Sequence, residues 1–348
     1  MTSATVLSNP ALSAVPAAAS PGLWQLAWRR LRADRLAMAA LAVVSAFLLM
    51  VLLSSTGLIA ADWEKEVAVN DAPPTFIGGA GRAARVAAQQ APLADNPFDP
   101  LLDDIKSIRA TGSAALVPAA EKKPTLFFGA DKWGHDIVSK TIKGGETSII
   151  VGLVSALLAV TLGTLFGAFA GFYGGVVDDL FNWFYSVFTA IPSILMILTV
   201  AAVLQHKGVG TIVLILGLTG WTGPFRLMRA EYMKHKAREY VLAADAIGAS
   251  SLRKMFSHIF PNVSHVALVQ LSILVVGFIK AEVILSFLGF GVPVGTVSWG
   301  SMLNEAQTEL ILGRWWQLTA AALAMAVLVT AFSLLTDALR DALDPKMK

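Results

Sequence analysis

The chain has 348 residues, 55% of them hydrophobic and only 15% charged, with a mean hydropathy of +0.65. Soluble domains usually carry about 25% charged residues, so the composition excludes an ordinary soluble globule and points to a membrane protein. The formal charge of +3 is too small an excess to suggest nucleic acid, and the lack of cysteine excludes disulfides, thiolate metal sites and a cysteine nucleophile.

Met1–Gly22 are rich in Ala, Ser and Pro without a period and read as a tail. Arg29, Arg30, Arg32 and Arg35 follow, so residues 1–35 form an N-terminal tail on the cytoplasmic side by the positive-inside rule. The apolar run Leu36–Ala60 is long enough to span a bilayer. It is longer than the apolar core of a cleavable leader, so an uncleaved first span is expected. Residues 61–125 turn to Asp, Glu, Pro, Ala and Gly and form a hydrophilic, extracytoplasmic insertion. Apolar runs recur at Ser148–Phe172, Leu180–Leu204, Val209–Phe225, Val266–Phe290 and Leu318–Leu335. With the first run they predict an all-α integral membrane protein with six transmembrane helices, the last five in a core over residues 126–345. An even number of spans returns the C-terminus, residues 346–348, to the cytoplasm. It also places Arg226–Asn262 there, a stretch with Arg226, Arg229, Lys234, Lys236, Arg238, Arg253 and Lys254.

Three features lie within the spans. Gly163, Gly167, Gly171 and Gly175 repeat every four residues and would line one helix face, where another backbone can approach. Spacing alone leaves open whether that face packs within the subunit, joins a second subunit or moves as a gate. Pro192 predicts a kink in the third span. Lys280 and Glu282 stand in the fifth run, about 200° apart on a helix. Lys280 falls near the outer interface and reads as an anchor. Glu282, with its shorter stem, reads as a polar residue of the translocation path or an interhelical partner.

The expected chemistry of an enzyme is missing. There is no GxxxxGK[ST] loop, and the five histidines make no metal-binding spacing. No GxSxG elbow occurs. We expect no catalytic, cofactor-binding or metal-binding residue in this chain.

The stretch "EYVLAADAIGASSLRKMFSHIFPN", Glu239–Asn262, interrupts the apolar pattern. Tyr240, Val241, Ala243, Ala244 and Ile247 recur near helical spacing and predict one apolar stripe. Gly248 predicts a helix stop, Ser250 or Ser251 a cap for a second short helix Leu252–His258, and Pro261 the turn into the fifth span. Helix, glycine turn, helix could fill a groove on another protein or lie on the membrane surface.

This stretch resembles a known motif. Ala243–Ala244, Gly248 and His258–Ile259–Phe260–Pro261 resemble the EAA loop of ABC-importer permease subunits, with Leu242 where the motif has Glu and Phe260 where Leu is usual. "FGADKWGHDIVSK" (Phe128–Lys140), "GFYGGVVDD" (Gly171–Asp179), "AEVILSFLGFGVP" (Ala281–Pro293), "SWG" (Ser298–Gly300) and "DALRDALDP" (Asp337–Pro345) resemble segments of the dipeptide/oligopeptide/nickel group of that family, the C-type member of the pair. The resemblance implies the type I importer permease fold with a cytoplasmic coupling loop at 239–261. Its coupling residues would be Glu239, Tyr240, Ala243, Ala244, Gly248, Ala249, His258 and Pro261. It also implies a subunit in the bacterial cytoplasmic membrane, forming half of a path for peptides or a related small solute. Its partners would be membrane lipid, a second homologous permease, an extracytoplasmic substrate-binding protein, and two ATP-binding-cassette ATPase subunits carrying ATP and Mg. The rival expectation is a secondary transporter that works without ATPase partners.

Overall fold

The computed structural model describes residues 23–77, 104, 107, 122–204, 206, 208–293 and 295–343. The tail Met1–Gly22, most of the insertion and the C-terminal residues 346–348 lie outside the described residues. Among the described residues the chain is helical, with three isolated β-bridges and no strand.

Helix α1 (Leu23–Ala33) was not anticipated as an element of its own. It is amphipathic, and Ala27 and Leu31 are buried, with Ala27 packing on Val269, Leu339, Ala342 and Leu343. Asp34 then caps α2 (Arg35–Ser55), accepting from Leu36 N at 2.8 Å. The first span therefore stops short of Ala60. Thr56 caps it, Gly57 (φ 74°) turns the chain away, and the apolar residues beyond belong to a turn.

Helix α3 (Ile137–Tyr173) begins eleven residues before the apolar run that announced it. Asp136 caps it, accepting from Ser139 N at 3.0 Å, and Gly174 (φ 68°) ends it. At 37 residues and 1.5 Å per residue it is about 55 Å long, more than a bilayer core. It is largely apolar, as a central helix must be, and packs against α2 and against the helices Gly175–Thr189, Val209–Thr219, Thr222–Lys236, Phe260–Phe287, Trp299–Ile311 and Trp316–Leu343. Helix α4 (Gly175–Thr189) and α5 (Ser193–Leu204) pass the length and apolarity test for a span only together, and their axes differ by 85° at the break containing Pro192.

Helices α6 (Val209–Thr219) and α7 (Thr222–Lys236) form one span that continues well past Phe225, so residues 226–236 are helix rather than loop. Helix α8 (Glu239–Ala246) follows, then α9 (Ser251–Arg253), a π-helical turn (Lys254–Ile259) and α10 (Phe260–Phe287). The expected turn at Pro261 is absent. Proline lacks the N–H and its ring crowds the carbonyl four residues back. The widened π turn, in which Phe260 N donates to Met255 O, lets Pro261 enter at the start of α10 without breaking the rod. Ser298 and Ser301 make a reciprocal cap on α11 (Trp299–Ile311), and α12 (Trp316–Leu343) closes the core.

Five described helices or helix runs are long and apolar enough to cross a membrane, and the bent α4–α5 pair makes a sixth. Trp299 anchors their common core. It is fully buried, meets Phe47 edge-on at 6.2 Å, and donates its indole N–H to Thr141 O at 3.0 Å.

Candidate coupling loop and the polar ties behind it

The loop between α7 and α10 is held from below by apolar packing. Val241 and Ala244 of α8 are buried; Val241 joins a cluster with Phe172 of α3, Met228 and Tyr232 of α7, and Met255, Ile259 and Val263. The single apolar stripe expected for α8 is thus split. Val241 and Ala244 point inward, while Tyr240, Ala243 and Ile247 are exposed. Three polar contacts add angular definition. Tyr232 Oη donates to Met255 O at 3.3 Å, the Tyr240 hydroxyl meets His235 Nδ1 at 2.8 Å, and Lys254 pairs with Asp245. Burial raises the Tyr240 hydroxyl above its ordinary value, so it stays protonated.

The tip is turned by Gly248. Gly248 N donates to Asp245 O and Ala249 N to Ala244 O, with Gly248 at φ 80°, where a side chain is strained. Ser250 caps α9, accepting from Arg253 N. Glu239 sits in the first turn of α8, where an acid suits the helix dipole. His258 is half-buried and Pro261 exposed. Three large apolar side chains stand exposed on the loop among charged ones such as Asp245 and Arg253: Leu242 is 57% exposed, Leu252 56% and Ile247 86%.

Behind the loop, α7 lies on the glycine face of α3. A Cβ at Gly163 would come within 2.5 Å of Trp221 O, at Gly167 within 2.7 Å of Phe225 O, and at Gly171 within 2.5 Å of Arg229 O. This is close backbone packing inside the subunit. Gly175 does not share it: it lies past the end of α3 at φ 52°, with no neighbour within 4 Å of a built Cβ. Arg229 of α7 grips Asp178 of α4 through two bonds, Nε–Oδ1 at 2.5 Å and Nη2–Oδ2 at 2.6 Å.

Glu282 is fully buried. It accepts from Ser148 Oγ of α3 at 2.6 Å and from Ser286 Oγ at 2.7 Å, and Ser148 Oγ in turn accepts from Trp299 N at 3.2 Å. The geometry is an interhelical tie among α3, α10 and α11. Lys280, two residues before, is exposed.

A second polar cluster sits at the end of α3 far from the Glu239–Pro261 loop, and it was missed in the sequence. Lys140 is 3% exposed. Its ammonium donates to Asp131 Oδ2 at 2.7 Å and to Glu305 Oε2 of α11 at 2.6 Å. Gln317 of α12 donates to Glu305 at 3.2 Å, His135 Nδ1 lies 2.9 Å from Asp131, and Arg314 pairs with Asp71. Burial opposes ionisation of Asp131, but the Lys140 ammonium and the bonds it receives hold its carboxyl below the ordinary range. The available signal was Lys140 itself, a base close to a run too apolar to leave it unpaired. Among the described residues no group of three or more His, Asp or Glu is arranged to hold a metal.

The chain thus combines a helical core able to cross a membrane with a loop braced on it at one end, the architecture of a multi-pass membrane protein. Residues 163–348 match the family described as the binding-protein-dependent transport system inner membrane component, and residues 22–74 the N-terminal transmembrane domain of oligopeptide transport permease C. The chain belongs to this family of ABC-transporter permease subunits, which are not themselves enzymes. It is 35% identical over 233 residues to the dipeptide transport system permease protein DppC of Bacillus subtilis, covering 67% of this chain and 71% of that protein. It is 36% identical to the oligopeptide transport system permease protein OppC of the same organism, covering 66% and 75%. The di/tripeptide transport system permease protein DppC of Pseudomonas aeruginosa is 34% identical, with 64% and 73% covered.

Proposed function

We propose that the chain is one of two permeases in a bacterial peptide importer, with Glu239–Pro261 as the element that docks into an ATPase subunit. The relatives named above for dipeptides, oligopeptides and di/tripeptides support a peptide cargo. The observation that carries the reading is the loop itself: a glycine-turned tip, braced on α3 and α7, that offers Leu242, Ile247 and Leu252 outward.

In this reading the loop and Arg29–Arg35 face the cytoplasm, as do both termini. A second homologous permease completes the path, lipid surrounds the pair, and a substrate-binding protein delivers peptide on the other side. ATP and Mg bind only the two partner ATPases. Their closure pushes α8, and the backbone contact between α7 and the glycine face of α3 carries the push across the membrane. Glu282 acts as the tie that keeps α3, α10 and α11 moving together, and Lys280 as an interfacial anchor.

The test is ATP hydrolysis and uptake by the reconstituted complex on adding peptide-loaded binding protein. Gly248→Pro, which cannot adopt φ 80°, should insert normally and lose uptake. Uptake that persists without the ATPases would refute the reading.

A further inference from the structure

Glu305 and Glu309 lie one turn apart on α11 and share a helix face. Glu305 spends its carboxylate on Lys140. Glu309 is 2% exposed, and neither of its carboxylate oxygens has a hydrogen-bond partner among the described residues. Its backbone carbonyl accepts from Leu312 N at 3.0 Å and Arg314 N at 2.9 Å, so Glu309 forms the turn that carries Arg314 to Asp71.

The charged groups around Glu309 come from several neighbouring pieces. Asp71 comes from residues 62–77, Asp131 and His135 from the stretch before α3, Lys140 from α3, Glu305 from α11 and Arg314 from the link to α12. Helix α12 adds the neutral amide of Gln317. Both permanent cations are already engaged, Lys140 with Asp131 and Glu305, and Arg314 with Asp71. A buried carboxylate with no partner of its own neutralises rather than stays ionised. The carboxyls here are not arranged to hold a metal, which leaves a proton.

We propose that Glu309 is a proton-binding site whose neutral form seats α11 against α3 and the stretches before it, so that proton loss loosens the end of the subunit opposite the coupling loop. Burial pushes its carboxyl up to about 7; Lys140 opposes the rise, and Asp131, Asp71 and Glu305 add to it. The sign follows from that upward shift. The seating contribution is complete below the ordinary glutamate value of about 4.3 and is lost as pH rises through about 7.

Infrared difference spectra of the assembled transporter, taken about one pH unit either side of that value, read the carboxylic-acid carbonyl band directly. Wild type should lose a band with its midpoint near 7, and Glu309→Gln should lack that band. Glu305→Gln, which removes the like charge one turn away and frees Lys140, should move the midpoint down by about one unit. Hydrogen exchange over Trp299–Arg314, corrected for intrinsic rates, should rise several-fold across the same range in wild type and stay flat in Glu309→Gln. No titrating band in wild type, the same band in Glu309→Gln, an unmoved midpoint in Glu305→Gln, or flat exchange in wild type would each overturn the proposal. Neither readout requires import, so the result is independent of the transport reading.

Discussion

Replacing Gly167 with alanine tests whether α3 and α7 move as one body. The new methyl carbon would lie 2.7 Å from Phe225 O, 2.9 Å from Arg229 N and 2.9 Å from Met228 Cβ. Two of those atoms are α7 backbone and cannot rotate away. Ordinary Cβ contacts begin at 3.4 Å, so the two helices must part by several tenths of an ångström. Overpacking of this kind costs about 1–3 kcal/mol. Gly277→Ala is the matched control: it is also in a membrane-spanning helix, but its added methyl meets nothing within 4 Å, and alanine improves helix propensity by about 1 kcal/mol. Thermal unfolding of the purified complex should fall for Gly167→Ala by about 2–4 °C per kcal/mol, and should hold or rise for Gly277→Ala. Because α7 leads into the loop, Gly167→Ala should also consume more ATP per peptide imported. Equal melting of the two variants would refute the close packing on which the transmission argument stands.

Other substitutions probe the polar ties. Lys140→Met leaves Asp131 and Glu305 without their shared cation and should cost about 3–5 kcal/mol, read as a lower melting temperature. Asp131, with its lowered pKa, contributes stability that is whole above the ordinary aspartate value of about 3.9 and is lost as pH falls through its lower folded value. Asp131→Asn should be less stable at neutral pH and should not lose that increment on acidification. Glu282→Ala strands the Ser148 and Ser286 hydroxyls and should cost about 2–3 kcal/mol, seen as reduced abundance in membranes. Glu282→Gln keeps hydrogen-bonding atoms at both positions and should lose less; equal losses would make the hydrogen bonds irrelevant.

The spans were legible because a bilayer core demands apolar residues in runs. Their ends were not, because helices outrun the lipid. Residues 137–147 of α3 and 226–236 of α7 are helical on polar sequence that hydropathy reads as loop. The Glu239–Pro261 loop was legible in its glycine turn and its serine cap. The continuous rod through Pro261 was not, since a π turn has no residue signature of its own. The four-residue glycine repeat carried Gly175 one step too far, because spacing cannot register that Gly174 has already ended the helix. The distal cluster joins Asp71, Asp131, Lys140, Glu305, Arg314 and Gln317, which are brought together only when α3, α11 and α12 pack. No local pattern encodes such a meeting, although a buried lysine always asks for one.

The central claim is that the tip of the Glu239–Pro261 loop sits in an ATPase subunit. A photoreactive amino acid at Ile247, 86% exposed at that tip, tests it in the assembled complex. Illumination should yield an adduct of this chain with one ATPase subunit, and the same probe at Ile311, 85% exposed at the opposite end, should yield none. Adducts from Ile247 with lipid or with the binding protein, and not with the ATPase, would contradict the account.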